Sequence, residues 1–226
     1  QEQPSERSND VLLKQQHFPI KGEITFKNYS NKYRPNTPLV LNNISINLHP
    51  GEKVGIVGRT GCGKSTLCLS LFRLIEPTSG NIYIDNVDIT SIGLKYLREI
   101  ITIIPQDQFL FEGRLRDNID PLEKYTDAQI KDILSKVGLE KYHKELTMDI
   151  AENGSNLSIG EQQLICIARA LLRNNKIVIM DEATASVDYE TETIIQNVVC
   201  EQMKEFTVLT IAHRIKTVLG YDKILV

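Results

Sequence analysis

The sequence predicts an α/β fold with a mostly parallel sheet, an N-terminal antiparallel β subdomain and an inserted α-helical lobe. Three observations carry that prediction. Residues 54–57, 101–104, 177–180 and 208–211 are almost continuously apolar, as parallel strands covered on both faces are. Helical periodicity appears in the stretches between them, and strands alternating with helices build parallel sheets. A glycine-rich segment joins the first of these runs to the first helix.

Taken in order, residues 1–21 are polar and then mixed, and they read as a linker, with regular structure starting near Gly22. Ile24 and Phe26 alternate with polar neighbours, as do Ile44, Ile46 and Leu48. That is the pattern of half-buried antiparallel strands. Tyr33-Arg34-Pro35-Asn36-Thr37-Pro38 reads as the loop between them. A helix is expected over 64–76, with Leu67, Leu71 and Leu74 on one face and Pro77 as its stop. Another is expected over 126–137, opened by a Thr126 and Gln129 capping box. A third, over 159–173, carries Leu164, Ile167, Ala168, Leu171 and Leu172 on one side. The helix-rich stretch 107–156 lies between two sheet strands, so it is read as the inserted lobe, with 22–106 and 157–226 as the core.

Charge and composition narrow the function. The chain has 226 residues, 41% of them hydrophobic, and a net charge of −3 from 26 basic and 29 acidic residues. Nucleic-acid binding draws most of its affinity from neutralised phosphates, so this balance argues against a nucleic-acid partner. No apolar run approaches the roughly 18 residues that span a membrane. Cys62, Cys68, Cys166 and Cys200 form no Cys-x-x-Cys pair and read as apolar thiols. The missing initiator Met and the ending on apolar Leu225-Val226 suggest an excised piece of a longer protein, with the C-terminal part of the domain absent.

Gly58-Arg59-Thr60-Gly61-Cys62-Gly63-Lys64-Ser65, followed by Thr66, fits G-x-x-x-x-G-K-[ST] between a buried strand and a helix. This is the phosphate loop of P-loop NTPases. Its glycines let backbone N–H groups point inward as an anion nest, and the helix start adds a positive dipole end. Lys64 would reach the β and γ phosphates of ATP, and the Ser65 hydroxyl would ligate Mg²⁺. The run 177–180 ends on Asp181-Glu182. Alone, two acids there would be a helix N-cap. Beside a P-loop, Asp181 reads as a Mg²⁺ holder and Glu182 as the group that orients or polarises the attacking water.

Leu157-Ser158-Ile159-Gly160-Glu161-Gln162-Gln163 opens the third helix with Ser158-x-x-Glu161, a capping box, and its Ser and Gly at the helix N-terminus also make a second phosphate site. This stretch resembles the signature motif of ATP-binding-cassette (ABC) proteins. Gln106 looks like that family's Q-loop, Ser186-Val187-Asp188 like its D-loop, His213 like its H-loop, and Tyr33 like its adenine-stacking aromatic. The resemblance covers about residues 22–226 and implies a RecA-like core. Tyr33-Arg34-Pro35, the segments 115–121 and 183–188, and 207–214 are similar to the second nucleotide-binding domain of subfamily C, the multidrug-resistance-associated-protein type. One departure stands out: the usual Leu-Ser-Gly-Gly-Gln has Ile159 and Glu161 here. Glu161 would bring negative charge towards a γ-phosphate unless it turns back to cap its own helix.

The resemblance implies an ATP-hydrolysing domain of a membrane exporter, lying on the cytoplasmic face. Its partners would be transmembrane domains and a second nucleotide-binding domain in the same full-length chain. Gln106 would join Ser65 and Asp181 around Mg²⁺, and His213 would assist Glu182. Ser158 and Gly160 would serve the nucleotide of the partner domain, and Asp188 would act across the interface. The isolated domain is expected to be monomeric, and efficient hydrolysis is not expected from it alone. Two alternatives stay open: a regulatory or channel-gating domain that binds ATP with little turnover, and a soluble ABC ATPase outside transport.

Overall fold

The computed structural model describes residues 9–183, 187–212 and 214–226. Its elements in chain order are α1 (Asn9–Gln15), β1 (Ile24–Asn31), β2 (Leu41–Leu48), β3 (Lys53–Ile56), α2 (Lys64–Leu71), β4 (Ser79–Ile84), β5 (Val87–Asp88), α3 (Leu94–Ile100) and β6 (Ile101–Ile104). Then come β7 (Gly113–Arg114), α4 (Leu115–Ile119), α5 (Asp127–Lys136), β8 (Asp149–Ile150), α6 (Ile159–Arg173), β9 (Ile177–Asp181), α7 (Tyr189–Asn197), β10 (Thr207–Ile211) and β11 (Lys223–Leu225). The chain divides into two compact units. The first takes residues up to 102, 175–179 and 205–226; the second takes 103–174 and 180–204. Among the described residues no helix is long and apolar enough to cross a membrane.

The first unit holds an antiparallel sheet of order β2-β1-β4-β5. Ile24 pairs with Leu48 and Phe26 with Ile46, and on the other side Ile24 pairs with Ile84 and Phe26 with Ile82. Matched apolar pairs on one face give such a sheet its cross-strand stability. The second sheet has order β11-β3-β10-β9-β6. Within it β3 runs parallel to β10 and to β11, and its four residues are all buried. Side chains from both sheets and from α1, α2 and α3 share one buried cluster. β6 and β9 begin in this unit, and their last residues belong to the second.

Three details differ from the expectation. The supposed linker is partly structured: Leu13 and Phe18 join the core cluster, each burial stabilising by about 1.5–3 kcal/mol. The Asp10 carboxylate accepts from the Gly93 N–H at 2.9 Å, and the Tyr96 hydroxyl donates to the Phe18 carbonyl at 2.9 Å. A seven-residue helix with one buried aliphatic is too short to show a period in sequence. The helix expected over 64–76 closes at Leu71, because Arg73 turns left-handed (φ 48°). Its buried guanidinium donates to the Ile89 and Ile92 carbonyls at 3.1 and 3.0 Å. Strand β4 was not anticipated, although Ile82 and Ile84 alternate with polar residues.

In the second unit α4 and α5 both pack on α6, with Leu115, Ile130, Leu134, Ile165 and Ile167 completely buried. The stretch 107–156 falls inside this unit together with α6 and α7. The capping box at Thr126 and Gln129 is formed. Arg169 of α6 donates to the Phe109 carbonyl at 2.7 Å and to Asn118 Oδ1 at 3.1 Å. It thereby holds the chain that follows β6 onto the helix.

Candidate nucleotide site

In the first unit the glycine-rich loop follows β3. Residues 58–62 are exposed, while Val57 and Lys64 on either side are buried. Gly61 and Gly63 have φ of 82° and 103°, in the region that glycine alone enters cheaply. A Cβ on Gly61 would meet nothing, so conformation and not crowding requires glycine there. Gly63 is the N-cap of α2, and no side chain caps that helix end. The Lys64 ammonium lies across the loop, donating to the Gly58 carbonyl at 2.9 Å and the Arg59 carbonyl at 3.1 Å. Ser65 is exposed beside it.

Backbone N–H groups at a helix start with no side-chain cap, next to a lysine, suit a polyphosphate. The adjacent hydroxyl suits a hard cation such as Mg²⁺ that takes oxygen ligands and keeps company with phosphate. Tyr33 is 57% exposed, and its hydroxyl shares a 2.9 Å hydrogen bond with the Thr66 hydroxyl. That bond ties a flat aromatic side chain to the first turn of α2.

Gln106, Ser158, Gly160, Asp181, Glu182 and Asp188 lie in the second unit. Gln106 is exposed just beyond β6. Its carbonyl accepts from Gln108 Nε2 at 3.2 Å, and the same amide donates to Oε1 of the fully buried Gln163 on α6. Asp181 ends β9, half-buried. Glu182 follows with φ 49°, a left-handed conformation unusual for a glutamate and often found where function requires it. His213, and Ser186 of the expected D-loop, lie outside the described residues.

Ser158 caps α6 through a complete capping box. Its hydroxyl accepts from the Glu161 N–H at 3.2 Å, and Glu161 Oε2 accepts from the Ser158 N–H at 2.8 Å. So Glu161 does turn back on its own helix. Its other oxygen accepts from the Tyr142 hydroxyl at 2.7 Å and from the Lys141 ammonium. Burial alone would raise this carboxyl's pKa. The hydrogen bonds from Lys141, Ser158 and Tyr142 outweigh burial and hold it at about 2. Tyr142 moves the opposite way, to about 12, because burial and its carboxylate partner both oppose ionisation.

Gly160 is buried against α7: a Cβ there would come within 2.5 Å of Thr191 Oγ1. Thr191 in turn donates through its N–H and hydroxyl to Asp188, at 2.9 and 2.8 Å. Those bonds cap α7 and lower the Asp188 pKa. Sequence reasoning missed Lys141, Tyr142, Gln163 and Thr191. The acid within the signature hinted that a counter-charge was needed, but nothing local pointed to a lysine 20 residues upstream.

A family model described as ABC transporter matches residues 41–185. The chain is 50% identical to Bile pigment transporter 1 of Saccharomyces cerevisiae, over 93% of this chain and 15% of that protein. It is 49% identical to ATP-binding cassette sub-family C member 2 of Rattus norvegicus, over 92% of this chain and 14% of that protein. A bacterial Atm1-family ABC exporter solved with ATP bound has a TM-score of 0.82 and 32% identity, covering 91% of this chain and 37% of that one. The chain thus spans a small fraction of the relatives that it matches.

Proposed function

The chain belongs to the ABC transporter family, and we propose that it is the second nucleotide-binding domain of a subfamily C exporter, binding and hydrolysing ATP on the cytoplasmic face of a membrane. The loop 58–66, with Lys64 across it and no side chain capping α2, carries this reading most directly. Nucleotide lies on that loop with its adenine against Tyr33. ATP supplies the γ-phosphoryl group and its Mg²⁺ the compensating charge, with Ser65, Gln106 and Asp181 as the residues that would hold the ion. Lys64 and the first N–H groups of α2 stabilise charge as it develops. Glu182 sets the attacking water and His213 assists it.

Ser158 and Gly160 serve the nucleotide of a second domain, so two sites form between two domains. Exposed Phe109 and Phe111, just after Gln106, offer an apolar contact for a transmembrane partner. ATP hydrolysis by the full-length protein tests the proposal. Turnover that is present in wild type and lost in both Lys64→Ala and Glu182→Gln supports it. Binding without turnover would move the chain to the gating class.

A further inference from the structure

The signature segment carries an acid where a phosphate is expected to approach, and the structure shows what is done with its charge. Glu161 sits in the first turn of α6, one helical turn from Ser158. Three groups hold its carboxylate: the Ser158 N–H, the Tyr142 hydroxyl and the Lys141 ammonium. Lys141 and Tyr142 come from the 3₁₀ turn Glu140–Lys144, and the Lys141 ammonium is also 5.0 Å from the Tyr142 ring centre. The Glu161 side chain is only 18% exposed, whereas that of Lys141 is 63% exposed. Tyr142 and the capping bond would hold Glu161 without Lys141, but neither carries charge. Lys141 alone among the three cancels the negative charge.

We propose that Lys141 is a positioning residue for the nucleotide of the partner domain: it neutralises Glu161 and keeps that carboxylate on its own helix, so the start of α6 meets a γ-phosphate without a net negative charge. This rests on the reading that Ser158 and Gly160 face a partner's nucleotide. A carboxylate left uncompensated within a turn of a phosphate repels it through a partly solvated medium, and about tenfold in affinity is the expected size. A purely structural ion pair makes a different forecast: losing Lys141 would lower the melting temperature and leave ATP binding unmoved.

The experiment compares wild type, Lys141→Met, Glu161→Gln and the double variant in the full-length protein. Equilibrium ATP binding is read first and the KM and kcat of hydrolysis second. Lys141→Met is expected to weaken ATP binding at one of the two sites, and to raise KM, by about tenfold with kcat within about twofold. Glu161→Gln is expected to bind as tightly as wild type or tighter, and the double variant to match Glu161→Gln. Equal weakening by both single variants, or an effect of Lys141→Met that persists in the double variant, overturns the inference. So does unchanged binding in Lys141→Met. Thermal unfolding of each variant separates misfolding from weakened binding. Absent turnover in wild type would count against the proposed hydrolysis, while the binding comparison would still decide the role of Lys141.

Discussion

Helix α2 starts on Gly63 with no side-chain cap, whereas α6 starts on Ser158 inside a complete capping box. Both are expected phosphate sites, yet they are built by opposite means. The α2 end is shaped by backbone conformation, with left-handed glycines before it and Lys64 folded over the loop. The α6 end is already occupied by its own side chains, and its acid has been neutralised from elsewhere in the second unit. The difference teaches that the α2 end is left open by its backbone, while the α6 end is closed by its own side chains.

The largest effect should come from Lys64→Ala, which removes a charged donor at the developing negative charge. Turnover of the full-length protein should fall by about 100-fold or more. Activity that survives within tenfold would place the binding determinants outside the loop. Next in size is Gly63→Ala, which forces a Cβ into φ 103° and within 3.0 Å of Leu41 Cδ2. It should cost about 1–2 kcal/mol of stability, read from urea unfolding, and weaken ATP binding as well. On the α6 side, Ser158→Ala removes a cap from a helix that has other support. About 1 kcal/mol should be lost, with ATP binding at the loop 58–66 unchanged. If Ser158→Ala impaired that loop as much as Gly63→Ala does, the contrast between the two ends would fail.

The smallest effect should be seen in acid. The Glu161 carboxyl titrates lower in the folded chain, at about 2, than its ordinary 4.5. A depressed folded pKa means stability that is fully present above about 4.5 and lost as the pH falls towards 2. Between pH 5 and pH 3 the melting temperature of wild type should therefore fall further than that of Glu161→Gln. Parallel losses in the two proteins would show that Glu161 is no better held when folded than when unfolded.

Several features were legible without coordinates because their causes are local. The loop 58–65 is specified by contiguous glycines, a lysine and a serine. The capping boxes at Thr126 and Ser158 are set by residues three positions apart. The buried strands announce themselves as short apolar runs, since a strand covered on both faces has no polar side. Even the choice left open for Glu161 could be stated in advance, because capping its own helix and projecting from it were the only two courses.

What required the tertiary structure depends on where distant segments cross. Leu13 and Phe18 lie in a short mixed stretch beside Val11, Leu12 and Ile20, and only packing shows which of these belong to the core. Gln163 reaches Gln106 through Gln108, and Gly160 is needed because Thr191 lies against it. Lys141 is one of many lysines until the fold sets it on Glu161. Sequence by itself determined the family, the phosphate-loop motif and the starts of α2, α5 and α6, each a matter of a few adjacent residues. The tertiary structure decided how the signature acid is neutralised, because a counter-charge can come from any segment that the fold brings within reach.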